Sequence, residues 1–117
     1  MALPELVRRQ AEKELGEYCE KRVPGFARDQ VRLEFEIRGN AATITERRVP
    51  WRPLTPDEEW THDPIARFRF NNTRRLWTLF WRDSNLRWHL YDLVKPSSSL
   101  TDLLAEVERD PTAIFWG

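Results

Sequence analysis

The stretch of sequence that decides the fold reads WTLFWRDSNLRWHLYD and runs from Trp77 to Asp92. Apolar and polar side chains alternate on both sides of Asp83-Ser84-Asn85, a pattern typical of an antiparallel hairpin with one buried face. The predicted buried face contains the large apolar residues of both strands: Trp77, Leu79, Trp81, Leu86, Trp88 and Leu90. The opposite face, available to solvent or to a partner, contains the remaining alternate residues: Thr78, Phe80, Arg82, Arg87, His89 and Tyr91.

The same alternation appears upstream and predicts three further strands. Residues 31–38, VRLEFEIR, alternate apolar and charged side chains. Gly39-Asn40 tolerates positive φ, so a tight turn should lead into a strand near Ala42–Arg48. Alternation resumes over Ile65–Phe70, and residues 71–73 then turn the chain into the hairpin described above. The sequence therefore predicts about five antiparallel strands.

A helix is predicted near each end of the chain. Apolar residues recur at helical spacing from Leu3 to Cys19, and Pro24 disfavours helix in the residue before it, so the first helix should end near Arg22. Ser99 is a favourable N-cap for a second, short helix that should end at Asp110-Pro111. The apolar tail at 114–117 should pack on the core. Because one sheet face can bury both helices, residues 1–117 are predicted to form a single two-layer α+β domain.

The connection at 49–64, VPWRPLTPDEEWTHDP, is rich in proline and has no periodicity. Long connections of this kind in small domains are either functional or held down by their own side chains. Trp51 and Trp60 are the natural anchors for docking. The same rings could instead contact a partner protein, although large rings in a small domain more often dock on the protein itself. Both interpretations remain open from the sequence.

Composition narrows the classes of function. The chain has 117 residues and a formal net charge of zero, so no bulk attraction to nucleic acid or to a membrane surface follows. Its single cysteine cannot form an intramolecular disulfide, and no apolar run approaches the roughly 20 residues of a membrane span. These features favour a cytoplasmic protein that does not enter the membrane.

Neutrality of the whole chain conceals a segregation of charge. Residues 21–53 and 65–95, which hold the predicted strands, are both net positive, and arginine far outnumbers lysine. The planar guanidinium group suits phosphate and aromatic stacking better than an ammonium group does. The uncovered sheet face is predicted to present arginines together with aromatic rings: Arg32, Arg38, Arg47, Arg67, Arg69, Arg82, Arg87, Phe80, His89 and Tyr91.

Arginines interleaved with rings on an open sheet are typical of single-stranded nucleic-acid binding. In this hypothesis four arginines hold phosphates, namely Arg67, Arg69, Arg82 and Arg87. Phe80, His89 and Tyr91 would stack on bases. The alternative is that Arg and Glu side chains simply form cross-strand pairs on a solvated face and protect the sheet edge.

Catalytic and metal-binding patterns are weak. Cys19 lies on the apolar stripe of the first helix beside Glu17 and Glu20, which disfavour a reactive thiolate. The two histidines, His62 and His89, lack the close ligand spacing of a zinc site, and no glycine-rich phosphate loop occurs. We therefore expect no cofactor. His89 with nearby carboxylates is the best catalytic candidate, and the sequence favours a protein that is not an enzyme.

Several motifs together resemble a known family. They are RVP at 22–24, RLEFEIRGN at 32–40, TITERR at 43–48, WTHDPIARFRF at 60–70, WTLFWRD, RWHLYD and the terminal DPTAIFWG. The combination resembles a family of small bacterial proteins that is catalogued only as a domain of unknown function. The resemblance implies a bacterial, stand-alone, single-domain protein. It implies no catalytic residues, substrate or cofactor.

The leading hypothesis is a binding module whose arginine-rich sheet face takes single-stranded RNA or DNA, or another polyanion. The alternative is a protein-interaction or assembly module, including a homodimer. Such a module would use the 49–64 loop, the C-terminal tail or a free sheet edge. A small enzyme built around His89 is the third hypothesis.

Overall fold

The computed structural model describes residues 2–49 and 60–116. Helix α1 (Glu5–Arg22) is followed by a short 3-10 helix (Gly25–Ala27), and helix α2 (Leu100–Arg109) closes the chain. Between them lie five strands: β1 (Val31–Arg38), β2 (Ala41–Arg48), β3 (Asp63–Asn71), β4 (Leu76–Arg82) and β5 (Trp88–Leu90). They form one antiparallel sheet in the order β1-β2-β3-β4-β5. The predicted α+β class is confirmed.

The helices and the sheet form two layers around one apolar core. Helix α1 packs on β1, α2 packs on β4, and the two helices contact each other. Phe68 and Leu79 contribute fully buried side chains from the sheet, and Leu15 and Leu103 contribute them from the helices. Burial of each such side chain contributes about 1.5–3 kcal/mol before packing is counted. Among the described helices, none is long and apolar enough to cross a membrane.

The ends of both helices lie where the sequence predicts them. Helix α1 ends at Arg22, and α2 begins directly after Ser99. The Ser99 hydroxyl contacts Thr101 Oγ1 at 2.7 Å and makes no side-chain capping bond to the helix backbone. The C-terminal tail is packed as predicted, because Phe115 is buried and the Trp116 indole N–H donates to the Val107 carbonyl at 3.0 Å.

The hairpin between β1 and β2 follows the predicted turn. Gly39 has φ 56°, a backbone conformation that suits glycine, and Arg38 pairs with Ala41 across the turn. The pairing of β2 with β3 contains a bulge, since Ile44 lies opposite Ala66 and the next residue, Thr45, lies opposite Pro64. A bulge accommodates proline, which cannot donate a backbone hydrogen bond to the ladder.

Strand β5 presents its side chains to the opposite faces from those predicted, so the prediction was wrong for the second strand of the hairpin. Arg82 pairs with Trp88, and Phe80 pairs with Leu90. Opposite residues share a face, so Trp88 and Leu90 lie on the same face as Phe80 and Arg82, not on the buried face. Leu86 belongs to the turn and is 65% exposed.

The physical reason for this difference is the turn at 83–87. One carboxylate oxygen of Asp83 accepts the backbone N–H groups of Asn85 and Arg87, and Leu86 adopts φ 67°. This turn sets the register, and a shift of one residue exchanges the two faces of a strand.

Candidate nucleic-acid interface

The candidate site is the sheet face opposite the helices, which we call the open face. Within residues 2–49 and 60–116, neither helix packs on it. Strand register places these side chains there: Arg32, Glu34, Glu36, Arg38, Ala41, Thr43, Thr45, Arg47, Arg67, Arg69, Thr78, Phe80, Arg82, Trp88 and Leu90. Most of the predicted site residues therefore lie on this face. His89 and Tyr91 lie on the helix side, and Arg87 lies in the turn before β5.

Three arginines converge on the β3–β4 half of the open face, and we call them the arginine cluster: Arg67, Arg69 and Arg82. Arg67 and Arg69 alternate along β3, and Arg82 projects from the neighbouring strand β4. The pKa of Arg67 is lowered by partial burial and then by the positive charges of Arg69 and Arg82. The three charges are therefore close enough to repel each other, and an anion placed between them would relieve that repulsion.

Aromatic rings lie between these cations. The guanidinium carbon of Arg67 lies 4.4 Å from the ring centre of Trp88, and that of Arg69 lies 5.3 Å from the ring centre of Phe80. Both distances are within the range of cation–π contacts. The side chain of Leu90, opposite Phe80, is exposed. The face thus combines positive charge with flat apolar groups, including Trp88 and Leu90, which the sequence analysis placed on the buried face.

The arginine cluster has little compensating negative charge among the described residues. Arg67 donates through Nε to Thr43 Oγ1 at 3.2 Å, a neutral acceptor. Arg82 reaches Asp63 at 3.8 Å, and the Asp63 side chain is 65% exposed. Arg69 has no described carboxylate within ion-pair distance. Because exposed ion pairs contribute about 0–1 kcal/mol, the cluster remains electropositive.

The β1–β2 half of the open face has a different character. Arg38 pairs with Glu36 at 2.7 Å, and Arg47 pairs with Glu34 at 3.6 Å. The Arg32 guanidinium stacks on the Trp60 ring at 4.5 Å. Cross-strand pairing, the alternative considered from the sequence, therefore accounts for Arg47, whereas Arg38 pairs with an acid on its own strand. Trp51, the other predicted anchor, lies outside the described residues.

A shallow depression of about 340 Å³ joins the two halves. It is lined by small side chains of β2, including Thr43 and Thr45, and by longer charged or polar ones: Glu36, Arg38, His62 and Arg67. Because Arg67 borders both the depression and the arginine cluster, a ligand on the cluster has a continuous path across β2.

Tyr91 was predicted on this face and is instead buried on the helix side, so its predicted stacking role is wrong. It is 3% exposed, its ring lies 5.2 Å from that of Phe115, and its hydroxyl donates to Glu106 Oε2 at 2.6 Å. Burial, followed by this hydrogen bond, raises the pKa of Tyr91 to about 12. The same bond, aided by Arg109, holds the pKa of Glu106 below its usual range.

His89 also lies away from the open face, because it pairs with Trp81 and not with Phe80. Its ring centre is 4.7 Å from that of Trp81, and its Nε2 lies 2.5 Å from Asp83 Oδ2. The pKa of Asp83 is lowered, chiefly by the backbone N–H of Arg87 and next by His89. Arg87 itself is an exposed residue of the turn, beside the arginine cluster in sequence but not on a strand.

The described residues offer little for catalysis at a thiol or a metal. Burial, and secondarily the Glu34 charge, raises the pKa of Cys19 to about 11, so its thiol is a poor nucleophile at neutral pH. Within 2–49 and 60–116, no three His, Cys, Asp or Glu side chains group closely enough to hold a metal ion.

Comparison with known families identifies one family whose sequence profile matches this chain. Residues 3–117 match the sequence profile of a family described as a domain of unknown function, DUF3024. The chain belongs to this family. The resemblance noted from the sequence motifs is thereby confirmed, and DUF3024 membership assigns no substrate and no site residue. Comparison of this DUF3024 chain with curated proteins and with solved structures finds no significant match.

Proposed function

We propose that this DUF3024 protein binds single-stranded nucleic acid on the open face of its sheet. The observation that carries the proposal is the arginine cluster, in which guanidinium groups lie over Trp88 and Phe80 with little compensating acid. Phosphates supply the missing negative charge, and bases supply rings that stack on the half-buried rings of Trp88 and Phe80. Because the chain is neutral overall, the attraction is local to this face.

Each residue of the cluster has a distinct role in this proposal. Arg69, which has no described carboxylate partner, and Arg82, whose contact with the exposed Asp63 is long at 3.8 Å, bind phosphates. When a base stacks on the Trp88 ring, it displaces the Arg67 guanidinium group. Otherwise Arg67 keeps its contact with that ring. Phe80 and Trp88 replace His89 and Tyr91 as the stacking platform.

The first test is fluorescence anisotropy of labelled oligo(U) and oligo(dT) of about 12 nucleotides, a length within the site sizes of sheet-based binders. Titrations at about 50 mM and about 200 mM salt measure the counterion dependence. If three arginines neutralise three phosphates, the slope of log K against log salt should be about −2 for a single strand. Absence of saturable binding at the lower salt concentration would refute the proposal.

Two variants with the same change of charge locate the site. Arg69→Glu should weaken binding about tenfold or more, because a hydrogen bond to a charged group contributes about 1.5–3 kcal/mol. Arg9→Glu changes the charge equally on exposed helix α1, where Arg9 pairs with Glu5, and should leave affinity nearly unchanged. Equal losses in the two variants would show that net charge alone, and not the open face, causes binding.

A further variant separates base stacking from attraction to phosphate. Trp88→Leu keeps an apolar side chain but removes the ring, and stacking contributes about 1–3 kcal/mol per base. It should weaken oligonucleotide binding without changing the salt slope. If inorganic polyphosphate competes as well as the oligonucleotide does, the stacking role of Trp88 and Phe80 is wrong.

A further inference from the structure

A second surface, separate from the arginine cluster, lies along the outer edge of β1. Among the described residues, no strand pairs with this edge, and its pairing with β2 is regular over all of Val31–Arg38. The turn at Gly39-Asn40 makes Arg38 and Ala41 a hydrogen-bonded pair. The Gln30 carbonyl likewise accepts the Val49 N–H at 3.0 Å.

This pairing fixes which backbone groups of β1 remain available. Even-numbered residues direct their N–H and C=O groups toward β2. The odd-numbered residues therefore direct theirs outward: Val31, Leu33, Phe35 and Ile37. Unpaired strand edges of this length are templates for another strand.

A groove of about 770 Å³ lies beside the same edge, between α1 and β1. Cys19 and Val23 line it from the helix side, and Leu33 and Phe35 line it from the strand. Leu33 and Phe35 are only half-buried, unlike Phe68 and Leu79 in the centre of the sheet. Addition of a strand would cover these side chains and satisfy the outward backbone groups together.

We infer that the occupant of this edge is a second copy of the chain, whose β1 pairs antiparallel with β1 around a two-fold axis. The helix layers of the two copies then lie on the same side, and the two sheets become one. Such an isologous contact requires a strand whose exposed charges complement themselves. This inference is independent of nucleic-acid binding.

The charges on β1 meet that requirement in one register. The open-face side chains of β1 read Arg, Glu, Glu, Arg at positions 32, 34, 36 and 38. An axis at Leu33 places Arg32 opposite Glu34 of the second copy, twice by symmetry, with no like pair within the strands. On the helix side it places Leu33 opposite Leu33 and Val31 opposite Phe35. Opposite charges and apolar pairs at directly facing positions stabilise a ladder.

Other registers are less favourable. An axis at Phe35 would set Arg32 against Arg38 and Glu34 against Glu36, so that every facing charge is repelled. An axis at Glu34 or at Glu36 would also create two Arg–Glu pairs, but it would set the central carboxylate against its own copy, a like pair that the Leu33-centred register lacks. An axis at Ile37 would leave only three residues paired. The order of charges along β1 therefore favours the Leu33-centred register over the other registers.

A charge exchange tests the pairing by sedimentation equilibrium of the full chain. Arg32→Glu or Glu34→Arg alone should weaken dimerisation about tenfold, because each converts two attractive pairs into repulsive ones. The double variant R32E/E34R restores opposite charges across the Leu33-centred axis and should dimerise more tightly than either single variant, even though it gives up the Arg32–Trp60 and Arg47–Glu34 contacts within each copy. A wild type that is monomeric at all accessible concentrations overturns the inference. Failure of the double variant to dimerise more tightly than the single variants overturns the register.

Disulfide trapping supplies a second readout that depends on geometry. In a Cys19→Ala background, Leu33→Cys lies opposite its own copy at a Cα separation of about 5.5 Å, within the range that a disulfide spans. The matched control Phe35→Cys lies opposite Val31 and should not cross-link under mild oxidation. Cross-linking of Leu33→Cys alone supports the pairing, and cross-linking of Phe35→Cys alone contradicts it.

Discussion

Removal of one hydroxyl from the core should have a large and pH-dependent effect. Tyr91 donates at 2.6 Å to the carboxylate of Glu106, and the two residues are 3% and 4% exposed. Glu106 also contacts Arg109, whose side chain is mostly in solvent. Tyr91→Phe leaves a buried carboxylate with this one cationic partner. Loss of a hydrogen bond to a buried charge costs about 1.5–3 kcal/mol in the free energy of unfolding.

The pH dependence follows from the direction of the two pKa shifts. The pKa of Glu106 is lowered in the folded protein, so its stabilisation is present above the ordinary glutamate pKa and is lost as pH falls through the folded pKa. The pKa of Tyr91 is raised to about 12, so its stabilisation is present below the ordinary tyrosine pKa and is lost as pH rises through 12. The difference between wild type and Tyr91→Phe should therefore be largest near neutrality and smaller below about pH 4.

Urea unfolding followed by tryptophan fluorescence at neutral pH and at a series of pH values below the ordinary glutamate pKa of about 4.3 would measure this difference. The chain provides a matched control, because the Tyr18 hydroxyl donates to Glu108 at 2.8 Å and the Glu108 side chain is 48% exposed. Water can replace the lost donor there, so Tyr18→Phe should cost less than about 1 kcal/mol. Equal costs for the two variants, or a Tyr91→Phe cost that is independent of pH, would refute the reasoning.

One further substitution and one chemical reaction test the packing of the core. Phe68→Ala removes a side chain with no exposed surface from the central strand, and should lower the free energy of unfolding by about 3–5 kcal/mol in the same urea assay; a cost below about 1 kcal/mol would contradict the assigned packing. Cys19, buried and with a pKa raised to about 11, should react with iodoacetamide far more slowly than free cysteine at pH 8 and at a normal rate in urea. Rapid alkylation of the folded protein, measured by mass spectrometry, would show that α1 opens readily.

Much of the fold is readable from local patterns. Three local patterns each favour one structure, and the tertiary structure contains it. They are the period-two alternation of β1, the glycine turn after it and the proline after α1. The grouping of Arg67, Arg69, Phe80 and Arg82 on one face follows from the same alternation, because β3 and β4 are long and pair without a bulge.

The facing of β5 was not readable in this way. Alternation in this strand of three residues puts Trp88 and Leu90 on one side and His89 on the other, so it assigns the two apolar residues to the core, which is the wrong face. The turn that decides between them depends on a left-handed Leu86, a conformation that leucine rarely adopts, and on two hydrogen bonds to the Asp83 side chain. The partner of Arg47 likewise depends on cross-strand register, so alternation alone could not decide between ion pairing and ligand binding there.

The strand order β1-β2-β3-β4-β5 has a kinetic consequence. Each strand pairs with its neighbour in the chain, so the contacts of the sheet have short sequence separation for an antiparallel protein. Such topologies fold faster than sheets with crossover connections, because little loop-closure entropy is lost before each pairing is rewarded. Among consecutive strands, the largest separation in sequence lies between the end of β2 at Arg48 and the start of β3 at Asp63. Refolding should therefore begin as two separate nuclei, the β1–β2 hairpin and the β3–β4–β5 meander, with their joining as the slow step.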